Sequence, residues 1–288
     1  MAKSPSHALG QIIGFAMEEA VYDILKDISR DYSLYLDKQG PRNIRKGLKK
    51  VTWIDYENNK HDLDFVLEKD GDNNKKGSPI AFIECAWRRY TKHSVNKAGE
   101  ICNALVPLRE TYKDYSPFLG VIVAGEWTSG GLSNMRQKGI NIVHITTDVI
   151  VEAFKCVNIN VFFNENTDSE KMNMEVQKYN KLSDKQKEDI SSKLIELSYE
   201  SFQDFKLKIA SCFCKKIVRV LIVPLYGEEK EAYDIRSAIQ YIEDIGYESF
   251  WCKTMKKIEI QLEYNNGDTV KVFFSNKINA IDYLNKYL

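Results

Sequence analysis

A central β-sheet flanked by helices, followed by a smaller second α/β domain, is the fold class this sequence predicts, and three features predict it. Apolar residues at 9, 12, 13, 16, 17, 20, 21, 24, 25 and 28 recur with helical spacing, giving a long amphipathic helix with a broad core face. Two almost wholly apolar runs, Pro79–Ala86 (PIAFIECA) and Phe118–Ala124 (FLGVIVA), have the length of strands buried on both faces, and a helical pattern separates them. Near the C-terminus, Asn265-Asn266-Gly267-Asp268 joins two strand-like segments, a strong hairpin signal within a stretch reading strand, helix, strand, strand, helix.

The elements follow in order. The first helix covers about 9–28, with Glu18 and Glu19 bordering its apolar face. Gly40-Pro41 breaks the chain before a basic run. Lys50–Tyr56 (KVTWIDY) and His61–Leu67 (HDLDFVL) read as two strands joined by a polar turn at 57–60. The charged, glycine-containing segment Glu68–Ser78 is predicted to be a mobile loop. After the 79–86 strand come a basic loop and a helix over 95–112, with apolar residues at 95, 98, 101, 102, 105 and 108. The 118–124 strand is followed by a glycine-rich turn, a short helix near 132–138, a strand over 140–145 and a helix over 147–156. Polar residues from Asn164 to Glu188 predict a boundary. The expected division is a first domain over 1–163, a linker over 164–189 and a C-terminal α/β domain over 190–288, serving dimerisation or target recognition. That last domain is read as a helix over 190–213, a strand over 217–224, a helix over 231–245, strands over 257–264 and 269–274, and a final helix over 277–287.

Composition narrows the class. Of 288 residues 43% are hydrophobic and 28% charged, as in an ordinary globular protein, and sixteen Tyr and thirteen Phe supply enough apolar surface to order the chain. No run approaches the roughly 20 apolar residues of a membrane span, and Met-Ala-Lys-Ser-Pro-Ser-His carries no secretory apolar stretch. The expectation is a cytoplasmic protein with no membrane partner. The six cysteines, at 85, 102, 156, 212, 214 and 252, match neither a zinc pattern nor a disulfide framework, and are read as reduced, structural residues. Neither a P-loop nor a GxGxxG fingerprint is present, so no nucleotide cofactor is expected.

Basic and acidic residues balance at 41 each, so bulk charge does not point to nucleic acid. Two local runs do. Pro41–Lys50 (PRNIRKGLKK) carries Arg42, Arg45, Lys46, Lys49 and Lys50 with no acid, and Trp87–Lys97 (WRRYTKHSVNK) carries Arg88, Arg89, Lys92 and Lys97 with none. Unopposed basic segments grip phosphate backbones even on a neutral protein; a solvated basic face is the plainer reading of either run. The second run stands out because Glu84 lies just before it.

Two carboxylates in apolar strands carry the chemistry. Asp64 stands in DFVL and Glu84 in IAFIECA. A charge left uncompensated beside an apolar sheet costs on the order of 3–5 kcal/mol, so each acid calls for a partner. Two hard oxygen donors on neighbouring strands suit Mg²⁺, with Mn²⁺ as a substitute; such an ion takes one or two carboxylates and completes its shell with water and phosphate. Asp62 is an alternative to Asp64, and an ion pair within the hairpin is the plain reading of either.

This pattern resembles the PD-(D/E)XK superfamily of restriction-endonuclease-like nucleases, over about residues 9–156. The resemblance is carried by Gly14-x-x-x-Glu18 in the first helix, Leu63-Asp64-Phe65-Val66-Leu67 in place of the P-D pair, and Ile83-Glu84-Cys85-Ala86 in place of (D/E)-x-K. It implies that Asp64 and Glu84 bind the metal and that Glu18 assists from the helix. Two positions depart from the pattern: Leu63 replaces Pro, and Ala86 replaces the catalytic Lys. Lys92, Lys97 or Arg88 is then the candidate replacement, with Lys92 preferred. The implied function is a Mg²⁺-dependent endonuclease of restriction or defence type, cutting double-stranded DNA as a homodimer. A catalytically silent DNA-binding module on the same fold is the alternative, motivated by Ala86, and a scaffold without nucleic acid is a third.

Overall fold

A computed structural model describes residues 4–163, 167–213, 216–225, 228–245, 257–265 and 267–288. They form two compact units that divide after Phe213, and each is described by itself.

In the first unit, α1 (Pro5–Asp31) is capped by the Ser4 side chain, which accepts from the His7 amide, and Pro5 occupies its first turn, where a missing N–H costs nothing. Its ten buried residues are the ten that periodicity picked out. The strands β1 (Tyr35–Lys38), β4 (Phe65–Lys69), β5 (Ser78–Arg88), β6 (Phe118–Gly125) and β7 (Asn141–Ile145) make one sheet in the order β1-β4-β5-β6-β7. The β1/β4 and β4/β5 pairs are antiparallel; β5/β6 and β6/β7 are parallel. The sheet is therefore mixed. The short strands β2 (Val51–Ile54) and β3 (Lys60–Leu63) pair only with each other.

Alternation along β5 divides the core in two. Phe82 and Ala86 join Ile101 and Leu105 of α2 (Ser94–Thr111), whereas Ile83 joins the face covered by α1. The helices α3 (Ser129–Gln137) and α4 (Thr147–Lys155) follow β6 and β7. β6 is buried along its whole length, as its apolar run predicts.

Several expectations are corrected here. His61–Leu67 is not one strand: it breaks at Asp64, where the chain leaves the β2/β3 hairpin and enters the main sheet. The linker expected over 164–189 contains α5 (Ser169–Asn180) and the first six residues of α6 (Asp184–Leu197), and both helices pack on α1. The predicted single helix over 190–213 is broken at Ser198, between α6 and α7 (Tyr199–Phe213). These helices are polar on their outer faces but bury Met172, Ile190, Leu194, Phe202, Phe205 and Ile209 in the α1 core, which moves the boundary to Phe213. The loop predicted to be mobile after Glu68 is tied down through Arg42, as described below.

The second unit contains β8 (Ile217–Pro224), β9 (Lys230–Ala232), α8 (Ile235–Asp244), β10 (Ile258–Tyr264), β11 (Thr269–Phe274) and α9 (Lys277–Asn285). Its antiparallel sheet runs β11-β10-β8-β9 and buries Val220, Ile222, Ile258 and Ile260 with residues of both helices. The β10/β11 hairpin turns through Gly267 at φ +85°, a conformation that favours glycine; Asn266 lies outside the described residues, as do Cys214 and Cys252. Cys102 is buried, Cys85 and Cys212 are half-buried and Cys156 is exposed. Among the described residues no helix is long and apolar enough to cross a membrane.

Candidate metal centre

Asp64 and Glu84 meet because β4 pairs with β5 in a register that sets Phe65 opposite Ile83, so the next pair outward is Asp64 and Glu84. Asp64 Oδ2 accepts from the Cys85 amide at 2.7 Å. Glu84 is only 9% exposed, and its Oε1 is buried without a hydrogen-bond partner, a state shared among the described side chains only with Trp53 Nε1. A buried carboxylate oxygen without a donor is costly in a folded protein, and one aimed beside a second carboxylate is costlier still.

Glu18 approaches Asp64 from the middle of α1, which lies against β5. Glu18, Asp64, Tyr22 and Lys38 line a small cleft of about 170 Å³. Burial first, then the Asp64 charge, then Glu19, pushes the Glu18 carboxyl up to about 7. Burial and then the Asp64 charge raise Glu84 to about 8, opposed by Lys97. Asp64 is raised by burial, opposed by the Cys85 amide and Lys97. Burial is the first cause in all three acids, and the Asp64 charge adds to the proton affinity of both Glu18 and Glu84.

The donor set fits a hard divalent ion. Asp64 and Glu84 supply the two carboxylates that Mg²⁺ ordinarily takes, and Oε1 of Glu84 is uncommitted. Among the described residues no three His, Cys, Asp or Glu side chains form a ready-made cage. A centre with two protein ligands leaves the remaining positions to water and phosphate.

The structure separates residues that sequence treated alike. Asp62 is held outside the site by Lys50 Nζ at 2.5 Å and Thr52 Oγ1 at 2.6 Å, and the Lys50 bond keeps its carboxyl below the usual range. Glu19 is exposed where Glu18 is half-buried. Ala86 is buried against the α2 core and offers no donor. Lys97, on the first turn of α2, is the lysine whose charge both Asp64 and Glu84 feel; its ammonium lies 3.4 Å from Glu100. Lys92, the preferred replacement, stands exposed in the turn at 91–93 and is not among the charges acting on either acid. His61 and His144 are occupied elsewhere, by Asp55 Oδ2 and the Gly125 carbonyl.

The basic run 42–50 also divides. Arg42 is a correction: it is not a DNA contact but a buried ion, bidentate to Glu68 at 2.7 and 2.9 Å, paired with Asp37 at 2.7 Å, and donating to the Asp72 and Lys75 carbonyls. Arg45 is corrected for the same reason; it pairs with Asp37 and donates to the Lys38, Gly40 and Lys49 carbonyls. Both arginines fold the segment onto β1, and Arg42 also pins the 70–77 loop. Lys46, Lys49 and Lys50 remain exposed, Lys50 in its pair with Asp62. Arg88 and Arg89 are half-buried at the end of β5. Sequence reasoning missed Lys38, whose ammonium sits 3.4 Å from the Tyr22 ring centre at the cleft. A four-residue strand directly after a helix carries too little alternation to announce itself.

No protein-family model matches this chain, and no curated protein matches it. Among solved structures, the crystal structure of a protein of unknown function, AF1548, is similar at 11% identity with a TM-score of 0.30, covering 67% of this chain and 99% of that one. A likeness of that size carries no functional argument.

Proposed function

We propose that this protein is a divalent-metal-dependent phosphodiesterase acting on double-stranded DNA, with a restriction-endonuclease-like first unit. The observation that carries the reading is the unpartnered Oε1 of Glu84 beside Asp64, two carboxylates that the strand register forces together. The sheet order and the approach of Glu18 from α1 support the finer fold assignment. Bound there, Mg²⁺ or Mn²⁺ polarises the phosphate and acidifies a water.

The chain's own residues do the rest. Asp64 and Glu84 hold the ion, and the Cys85 amide fixes Asp64 in place. Glu18, raised to about 7, is poised to exchange a proton near neutral pH at the edge of the same cleft. Lys97 supplies the ammonium that Ala86 lacks, orienting water or neutralising phosphate charge, and Lys38 lines the opposite, α1 side. Lys46, Lys49 and Lys50 are suited to backbone phosphates. A homodimer of restriction or defence type, cutting both strands, completes the reading.

Plasmid nicking with Mg²⁺ against EDTA tests it: nicking that needs the metal and disappears in Glu84→Gln is expected. Metal-independent plasmid binding without nicking would instead favour a silent DNA-binding module, the reading to which the buried Ala86 lends weight.

A further inference from the structure

A second cavity, of about 700 Å³, opens at the far end of the α1/β5 contact, where nothing in the proposed cleavage centre reaches. Its volume falls within the roughly 300–1,000 Å³ of small-ligand sites. Trp87, Tyr90, Phe162, Arg88, Arg89 and Glu126 are among its lining residues, and Glu126 Oε1 accepts from the Thr147 hydroxyl at 2.5 Å. Trp87 is built in: Gly125, at φ +83°, leaves the space its ring fills, since a Cβ there would stand 2.3 Å from that ring. Phe162 is 61% exposed, a large ring with little to cover it.

The two arginines contrast with Arg42. Arg42 is saturated by two carboxylates, whereas Arg88 donates to the Trp87 carbonyl, and Arg89 to the Ser6 hydroxyl and the Phe163 carbonyl. No ion pair with a carboxylate is formed by either among the described residues. Two half-buried cations bonded only to neutral oxygens call for an anion. Rings suit a flat base, two guanidiniums without a glycine-rich loop suit one phosphate rather than three, and a carboxylate accepts from an exocyclic amine.

We infer that this cavity is a binding site for a single nucleotide unit carrying an aminated base, its ring against Phe162 and Trp87 and its phosphate on Arg88 and Arg89. Two sources share this chemistry: a nucleotide swung out of a DNA strand, or a free mononucleotide. The first rests on the DNA reading above; the second does not. Glu84 and Arg88 are four residues apart on one strand, about 13 Å. At about 3.4 Å per nucleotide, a captured base lies roughly four positions from the phosphate at the metal centre.

The test is titration of the full chain with dCMP, dAMP, dTMP and inorganic phosphate, in EDTA. dCMP or dAMP is expected to bind at least tenfold more tightly than phosphate and more tightly than dTMP. Phe162→Ala, which removes an exposed ring, and Arg88→Gln are each expected to weaken it about tenfold or more. Equal binding of mononucleotides and phosphate, or dCMP affinity unchanged in both variants, overturns the inference. Displacement of a fluorescent dCMP by a duplex oligonucleotide identifies the strand as the source; persistence of the bound dCMP identifies the free nucleotide. Wild-type protein that binds dCMP but never nicks plasmid removes the cleavage reading and leaves this site standing. Metal-dependent nicking without dCMP binding does the reverse.

Discussion

Arg42 and Arg88 belong to basic runs of similar composition, yet one is an internal strut and the other faces a cavity. For Arg42 the consequence is thermodynamic. Arg42→Gln strands Glu68 without its cation and leaves Asp37 only Arg45, and should destabilise the first unit by about 3–5 kcal/mol. Denaturant unfolding measures it; a folded variant with unchanged stability would show that the pair is dispensable. At Glu84 the consequence is a pH dependence. Glu84 is raised to about 8 from an ordinary 4.5, so the folded chain holds a proton that the unfolded chain has released. That contribution to stability is fully present below about pH 4.5 and is lost as pH rises toward 8, at no more than about 1.4 kcal/mol per pH unit for one proton. The metal-free protein should therefore lose Tm across this window, and Mg²⁺ should restore more of it at pH 8 than at pH 6, because the metal binds the deprotonated carboxylates. Glu84→Gln should flatten both trends. A metal response that survives in Glu84→Gln would remove Glu84 as a ligand. Asp64 and Glu84 were legible in sequence because an acid inside an apolar run is conspicuous. The neutralisation of Arg42 was not, since its partners lie 5 and 26 residues away.

At the scale of elements, α2 determines which lysine stands near Asp64 and Glu84, and so which one the proposed cleavage reading would use. Its first turn carries Lys97 toward the acids, while the preceding turn leaves Lys92 in solvent. Lys97→Met should lower the nicking rate by roughly 10²–10³, as removal of a single charge-stabilising donor does elsewhere, and Lys92→Met by no more than a few-fold. Equal losses in the two variants would return the question to the loop. The segment after β1 gives a second test. Neutralising Lys46 and Lys49 should flatten the dependence of log affinity on log salt by roughly 0.9 per lost phosphate contact, without changing which sequence is cut. An altered sequence preference with an unchanged slope would mean that these lysines read bases. Sequence indicated this segment as one basic cluster. Its division into two arginines held by internal acids and carbonyls and three exposed lysines arises from β1, an element too short for periodicity to reveal.

For the molecule as a whole, the boundary after Phe213 means that the α1 core is complete only with α5, α6 and α7 included. A chain ending at residue 213 should unfold cooperatively and keep its metal response, whereas one ending at 163 should not, having lost the cover over Ile24, Ile28 and their neighbours; thermal melts of the two fragments decide it. The sequence by itself determined that α1, β5, β6 and the β10/β11 hairpin exist, and that two acids sit where acids are expensive. Those features are local: they follow from the period of apolar residues and from turn chemistry, which a chain carries wherever it goes. Only the tertiary structure decided which helices cover α1, that the chain breaks at Asp64, that Lys97 rather than Lys92 faces the acids, and that Arg42 is spent internally while Arg88 is not. Each of these depends on partners brought together by strand register and packing from far along the chain, and no spacing of nearby residues encodes which charge another will meet.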